Sequence, residues 1–169
     1  MSHPLVTQLH FARSEFVRCL KGVSAEDAGK RIEPFNCISW IIGHLAVHEN
    51  VSWVELAQDV IIHGDLIDLV GYGKPASTPH LDEMWSAWEA ITSAADTYLD
   101  SLTPEILQTY FDIEGNRHSE NIGTMLLRNI YHYWFHLGEA HAVRQMLGHK
   151  DLPVFVGDMS NMYYIPEQK

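Results

Sequence analysis

Two histidines lie four residues apart in the apolar segment His132-Tyr-Trp-Phe-His136. On a helix, with about 100° and 1.5 Å per residue, such positions lie about 40° apart and one turn along. Two imidazoles in this arrangement can bind one metal ion, as in helical H-x-x-x-H zinc sites. Glu139, three residues after His136, is predicted on the same edge of the helix. His141 is predicted to point about 140° away, so we exclude it from the site.

The edge that carries this histidine pair is predicted to face the interior of the protein. Met125, Asn129, Val143 and Leu147 share its angular sector, and most of them are apolar. A buried imidazole without a partner costs about 1–3 kcal/mol, so two of them together need something to bind. That partner is predicted to be either a metal ion or a carboxylate with water.

A third ligand is predicted on another helix. His44 follows Gly43 in the apolar run Trp40-Ile-Ile-Gly-His-Leu-Ala46, where a surface histidine would be unusual. Glycine costs about 1 kcal/mol relative to alanine inside a helix, so a close approach of a neighbouring element is expected at Gly43. Gly138 raises the same expectation on the other helix. His48, one turn after His44, could serve as the ligand in its place.

Three neutral imidazoles leave at least one coordination position open, which is typical of catalytic sites rather than closed structural ones. The open position could hold a water molecule or a thiolate. Glu139 is the candidate catalytic residue, orienting a ligand or moving a proton, and its alternative is a structural ion pair or a bond to a backbone amide. A non-catalytic bundle that holds a metal or small ligand as a sensor is the alternative function. A di-iron carboxylate site is excluded because no acidic residue lies three positions before His132 or His136.

The elements that must position these residues follow from helical periodicity and from capping signals. Four long helices are predicted, with no internal repeat and no convincing run of strands, which indicates a single all-α four-helix-bundle domain over residues 1–169. Residues 149–169 are predicted to form a tail that packs on the bundle or on a second subunit. The predicted helices run from Pro4 to before Gly22, over residues 38–62 after a cap at Asn36, from Thr78-Pro79 past residue 99, and over residues 120–147.

Two intervening segments are expected to be irregular. Residues 65–78 contain Gly71, Gly73 and Pro75 and are predicted to form a mobile crossover connector, with a lid over the site as the alternative. Residues 110–118 are predicted to be irregular, with a turn at Glu114-Gly-Asn116 within a small hairpin.

Composition excludes several classes of function. The formal net charge is −11, with only 11 Lys and Arg against 22 Asp and Glu, so neither nucleic acid nor an anionic membrane is an expected partner. Two cysteines, Cys19 and Cys37, cannot build a disulfide framework. The apolar runs are short and the N-terminus has no signal-peptide pattern, so a cytoplasmic location is expected.

The sequence contains three motifs: Asn36-x-Ile38-x-Trp40-x-x-Gly43-His44-Leu45, His132-x-x-x-His136-x-Gly138-Glu139 and Arg144-Gln145-x-Leu147-Gly148. Together they resemble the DinB-like (damage-inducible) superfamily. That superfamily includes S-transferases that use bacillithiol or mycothiol, and maleylpyruvate isomerase of the mycothiol type. The motif that ends in Gly138-Glu139 and the trailing segment Leu152-Pro-x-Phe155-Val-Gly157 are the most specific part, although Glu139 stands where many members have glutamine.

The resemblance implies an up-up-down-down four-helix bundle, often paired into a homodimer. It implies one metal ligand on the second helix and two on the fourth, which correspond to His44, His132 and His136. The implied metal is divalent, zinc or nickel, with iron, cobalt or manganese as alternatives, and a low-molecular-weight thiol is the implied cofactor. A thiol-dependent S-transferase or a hydrolase acting on a small molecule is the implied activity. A negatively charged thiol would need local positive charge, for which Arg13, Arg128 and Arg144 are the candidates.

Overall fold

The computed structural model describes residues 2–154, 156–160 and 162, and these form an almost entirely helical protein. The all-α prediction is therefore confirmed; the up-up-down-down order stays a prediction. The helices are α1 (Pro4–Leu20), α2 (Ala25–Gly29), α3 (Ile38–Glu49), α4 (Leu56–Gln58), α5 (Leu66–Val70), α6 (Leu81–Leu99), α7 (Pro104–Leu107) and α8 (Ile122–Met146). A π-helical turn, Asn50–Glu55, joins α3 to α4, and strands β1 (Asp112–Ile113) and β2 (Asn116–Arg117) pair antiparallel.

Capping residues explain where several helices begin. The Nδ1 atom of His3 accepts the N–H of Leu5 ahead of Pro4, and the Asn121 side chain accepts the N–H of Thr124 at the start of α8. Such caps satisfy backbone donors that have no partner within the helix. Beyond the other end of α8, Gly148 has φ of +80°, the left-handed conformation that favours glycine and that commonly ends a helix. The predicted helix end at residue 147 lies within one residue of the observed end at Met146.

The second long helix differs from its prediction at both ends. Cys37, not Asn36, is the N-cap of α3, and it makes no side-chain capping bond. The helical path α3–π turn–α4 ends at Gln58, four residues before the predicted end at Ile62. Asp59 ends it by adopting a left-handed φ of 55°, a conformation that aspartate tolerates better than most residues because its side chain bonds locally.

The prediction of an irregular connector at residues 65–78 is wrong in part, because α5 occupies its first half. Leu66 and Val70 of α5 are buried, and α5 packs against α3. Burial of these two side chains stabilises a turn too short to persist alone. The third long helix begins at Leu81 after His80 as N-cap, two residues later than the predicted start at Thr78-Pro79. The small hairpin predicted in residues 110–118 is confirmed by β1 and β2.

The core contains a polar network as well as aliphatic side chains. Arg13 of α1 donates from Nε to Oε1 of Glu49 in α3 at 2.8 Å and from Nη1 to Oδ1 of Asp96 in α6 at 2.6 Å. The Tyr133 hydroxyl of α8 donates to Oε1 of Glu49 at 2.6 Å and accepts Nε1–H of Trp88 at 2.7 Å. The network therefore connects all four long helices.

The described part of the C-terminal segment contacts α1. The backbone N–H of Gly157 donates to Oε2 of Glu15 at 2.7 Å, and Arg18 donates to the carbonyl oxygen of Val154 at 2.7 Å. Phe155, Tyr163 and Tyr164, on which the tail prediction also depended, lie outside the described residues. Among the helices that the structure describes, none has the length and apolar character needed to span a membrane.

Candidate metal centre

His44 of α3 and His132 and His136 of α8 come together inside the bundle. Their ring centroids are 5.1 Å apart for His44–His132, 5.1 Å for His44–His136 and 4.6 Å for His132–His136. One nitrogen of each ring lies within 4.8 Å of the others, so the three could hold a metal ion. Two nitrogens bound to one tetrahedral zinc ion lie about 3.4 Å apart, since each bond is 2.0–2.1 Å.

Backbone and carboxylate acceptors fix the orientation of two of these rings. The Nδ1–H of His44 donates to the carbonyl oxygen of Val70 at 2.9 Å, and the Nδ1–H of His136 donates to Oε2 of Glu139 at 2.7 Å. Carbonyl and carboxylate oxygens accept only, so Nδ1 carries the proton in both rings and Nε2 is left with a free lone pair. Metal-binding histidines commonly have such a partner on the second nitrogen.

Trp40 and Gly43 position His44 from its own helix. The Trp40 ring stacks on the His44 ring with centroids 4.4 Å apart and an interplanar angle of 15°. A Cβ atom at position 43 would lie 2.4 Å from Sδ of Met84 in α6 and 3.1 Å from Cγ2 of Val70. Glycine therefore allows α5 and α6 to approach α3, which brings the Val70 carbonyl to His44. The close approach expected at Gly43 is confirmed.

The same expectation for Gly138 is wrong. A Cβ atom at Gly138 would have no neighbour within 4 Å among the described residues, and the residue is exposed on α8. His141 lies on the opposite side of α8, where its Nδ1 atom is 3.8 Å from Sγ of Cys19 in α1. This agrees with its predicted direction away from the site.

Burial keeps the imidazoles of His44 and His132 uncharged and ready to bind a cation. It lowers the pKa of His44 from 6.5 to about 4 and, together with the neighbouring rings, lowers the pKa of His132 to about 2. The Nδ1 atom of His132 is buried without a hydrogen-bond partner among the described residues. An orphaned buried nitrogen beside two inward-facing imidazoles fits a bound cation, which would compensate for its lost hydration.

Glu139 supplies a negative charge beside the cluster. Burial by itself would raise the pKa of this carboxyl, but the hydrogen bond from His136 and the backbone N–H of Asn36 lower it overall. The carboxylate is half-buried and bound to the outward nitrogen of His136, so in this structure it orients a ring of the cluster. Asn36, predicted as a cap, instead contributes its backbone to this carboxylate.

His48 lies beside the cluster, but His44 completes it. The His48 ring centroid is 4.1 Å from that of His132 and 4.8 Å from that of His44. Within the described residues, the group whose ligand atoms converge contains His44 and not His48. The convergence of ligand atoms thus favours His44 over His48, and the Val70 carbonyl anchors the His44 ring.

A cavity of about 890 Å³ opens beside this cluster. It lies between the π-helical turn with α4 on one side and the first half of α8 on the other. Of the three arginines considered as a source of positive charge, Arg128 lines this cavity, where it binds Glu120. Arg13 is buried against Glu49, and Arg144 donates to the carbonyl oxygen of Cys19. The lining residues include His48, Val51, Ser52, Leu56, His118, Met125, Tyr131, His132 and Phe135.

Two contributions to the site were not predicted from the sequence: the Val70 carbonyl and the backbone N–H of Asn36. Both are main-chain groups, which every non-proline residue carries, so no residue type marks them. The spacing of the apolar residues Leu66 and Val70, which would place both on one face of a helix, was the sequence signal that could have indicated α5.

Comparison with known families agrees with the histidine geometry. The model of the DinB superfamily matches residues 8–140, well over half of the chain and a range that contains all three histidines and Glu139. No curated protein matches the chain significantly. The protein belongs to the DinB superfamily.

Proposed function

We propose that the protein is a metal-dependent enzyme that acts on a small molecule, a transferase or hydrolase with one divalent ion bound to His44, His132 and His136. The observation that carries this proposal is the convergence of three inward-facing imidazoles from two helices next to a cavity. Imidazole ligands suit zinc and nickel, which are the proposed metals. The activated group is proposed to be a thiol or water.

The chain's own residues would prepare the site in two ways. The Val70 carbonyl and the Glu139 carboxylate hold two of the rings with Nε2 toward the common centre. Metal binding would therefore cost little side-chain entropy at these two ligands. The negative charge of Glu139 would also raise the basicity of His136. His44, His132 and His136 would hold the divalent ion, and its Lewis acidity would lower the pKa of a water molecule to about 7 or favour the thiolate form of a thiol.

The cavity would bind the substrate. Val51, Leu56 and Met125 give it an apolar wall, while His48 and Arg128 add polar groups. Its volume of about 890 Å³ is within the range typical of small-molecule sites. The contact with His132 joins the substrate cavity to the metal ligands, so a bound molecule has a direct route to the ion.

The first test is the metal content of His132→Ala. Protein purified without chelator is expected to contain about one divalent ion per chain by elemental analysis, and the variant close to none. His141→Ala is the matched control, since it removes a histidine of the same helix that points to α1, and it is expected to keep its metal. Full metal content in His132→Ala would exclude the site.

The second test separates catalysis from passive binding. Cobalt-substituted protein is titrated with low-molecular-weight thiols while its visible spectrum is recorded. A spectral change on thiol addition is expected if the fourth coordination position is open to ligands from the cavity. A cobalt spectrum unchanged by every thiol would favour the alternative, a bundle that binds metal without using it in a reaction.

A further inference from the structure

His48 has an unusual environment for a histidine in the interior of a helical bundle. It lies one turn after His44 on α3, its ring contacts those of His44 and His132, and its own side chain is only partly buried. It makes no side-chain hydrogen bond to any residue that the structure describes, whereas His44 and His136 each have a partner. Its ring nitrogens are therefore available to a molecule that is not part of the chain.

The cavity contacts the metal cluster at one edge. His48 and His132 line the cavity, while His44 and His136, the other two histidines of the cluster, are not among its lining residues. A molecule that reaches the common centre from this cavity must therefore pass the His48 and His132 rings. His132 is occupied as a proposed ligand, which leaves His48 as the imidazole that can contact the incoming molecule.

The charged side chains of the cavity wall, together with Asn129 and His118, already have partners. Asn129 accepts Nε1–H of Trp53 at 3.2 Å, and Arg128 is bound to Glu120. His118 pairs with the backbone of Glu120, where its Nδ1 accepts the N–H at 3.1 Å. Satisfied groups gain little from a new hydrogen bond. His48, in contrast, has no such partner among the residues that the structure describes, and its ring contacts those of His44 and His132.

We infer that His48 is a substrate-contacting residue that hydrogen-bonds the ligand in the open metal position. This inference rests on the proposed function, since it requires a metal ion on His44, His132 and His136. The ligand class is a small anion or polar group that carries a hydrogen-bond acceptor in addition to its metal-binding atom. His48 donates to that acceptor from its N–H and stabilises the ligand without binding the metal itself.

Azide is the probe for this inference, because it is a small anion whose distal nitrogen can accept a hydrogen bond. Cobalt-loaded wild-type protein, His48→Phe and His48→Gln are titrated with azide, and the dissociation constant is read from the visible spectrum. All three are expected to hold about one cobalt per chain. His48→Phe is expected to bind azide at least tenfold more weakly, and His48→Gln, which keeps an N–H donor, within about threefold of wild type.

His118→Gln is the matched control, since it changes another cavity histidine that contacts none of the three clustered rings, and it is expected to bind azide like wild type. Cobalt loss in both His48 variants would make His48 a metal ligand and overturn the inference. Equal azide affinity in wild type and His48→Phe, equal weakening by His118→Gln, or a loaded wild type that ignores azide would also overturn it. Failure of the wild type to load cobalt would instead refute the proposed function.

Discussion

Removing the charge of Arg13 tests whether the buried polar network holds the four long helices together. The side chains of Arg13 and Glu49 are 6% and 0% exposed, and they form two hydrogen bonds with each other. Arg13→Met would leave the Glu49 carboxylate buried with the Tyr133 hydroxyl as its remaining partner in this network. Breaking a buried pair in this way costs about 3–5 kcal/mol.

That loss is a large part of the about 5–15 kcal/mol that stabilises a typical protein. The double variant Arg13→Met/Glu49→Met removes both charges and is expected to recover at least half of the loss, because no uncompensated ion stays in the core. The recovery would be incomplete, since Tyr133 would lose the acceptor of its hydroxyl proton. The effects of the two substitutions are thus expected to be strongly non-additive.

The free energy of unfolding is measured by urea titration of metal-free protein, with circular dichroism and tryptophan fluorescence as probes. Arg128→Met is the control: its ion pair with Glu120 is exposed on the arginine side, 69% against 21%, and surface pairs contribute about 0–1 kcal/mol. A destabilisation below 1 kcal/mol for Arg13→Met, or fully additive effects in the double variant, would refute the reasoning.

Three further predictions concern the metal centre. Glu139→Ala is expected to weaken metal binding about 10–100-fold. Glu139→Gln is expected to keep most of the affinity, because its amide oxygen still accepts the imidazole N–H of His136. Equal metal affinities of the two variants in a competition titration would contradict this. Gly43→Ala is expected to destabilise the protein by about 1 kcal/mol through the clash with Met84. Gly138→Ala is expected to stabilise it by up to about 1 kcal/mol, because alanine favours the helix and has space there. Urea unfolding measures both, and the opposite order of stabilities would disprove the packing argument. The pKa of His44 is about 4 in the folded protein against 6.5 in the unfolded chain. The unfolded chain therefore binds the extra proton first, and metal-free protein is expected to lose about 3 kcal/mol of stability as the pH falls from 6.5 to 4. An equally steep loss of stability in His44→Gln would argue against this.

The all-α class and the position of the long helices were predictable because both depend on local information. Apolar residues at helical spacing, a cap at His3-Pro4 and a stop at Gly148 act within a few residues of each other. The spacing of His132 and His136 is local in the same sense, since one turn of α8 is enough to place both rings on one edge. The close approach at Gly43 was predictable because glycine destabilises a helix relative to alanine, so its presence there indicates a packing constraint.

Boundaries failed where packing outweighs local signals. The turn of α5 is too short to be stable alone, so its presence depends on burial of Leu66 and Val70 against α3. Proline and glycine in residues 71–75 indicated an irregular connector, and the prediction extended it over residues 66–70, which form α5. The end of α4 at Gln58, ahead of the predicted end at Ile62, likewise follows from the left-handed conformation of Asp59.

Residue types and spacing by themselves determined that histidines line one edge of α8 and that a further histidine lies in an apolar stretch of α3. Only the tertiary structure decided that His44 rather than His48 joins the cluster, because the choice depends on the Val70 carbonyl, a main-chain group brought over α3 by packing at Gly43. The same packing leaves His48 between the cluster and the cavity. Which groups meet across two helices is set by long-range contacts between them, and periodicity within one helix carries no information about its neighbour.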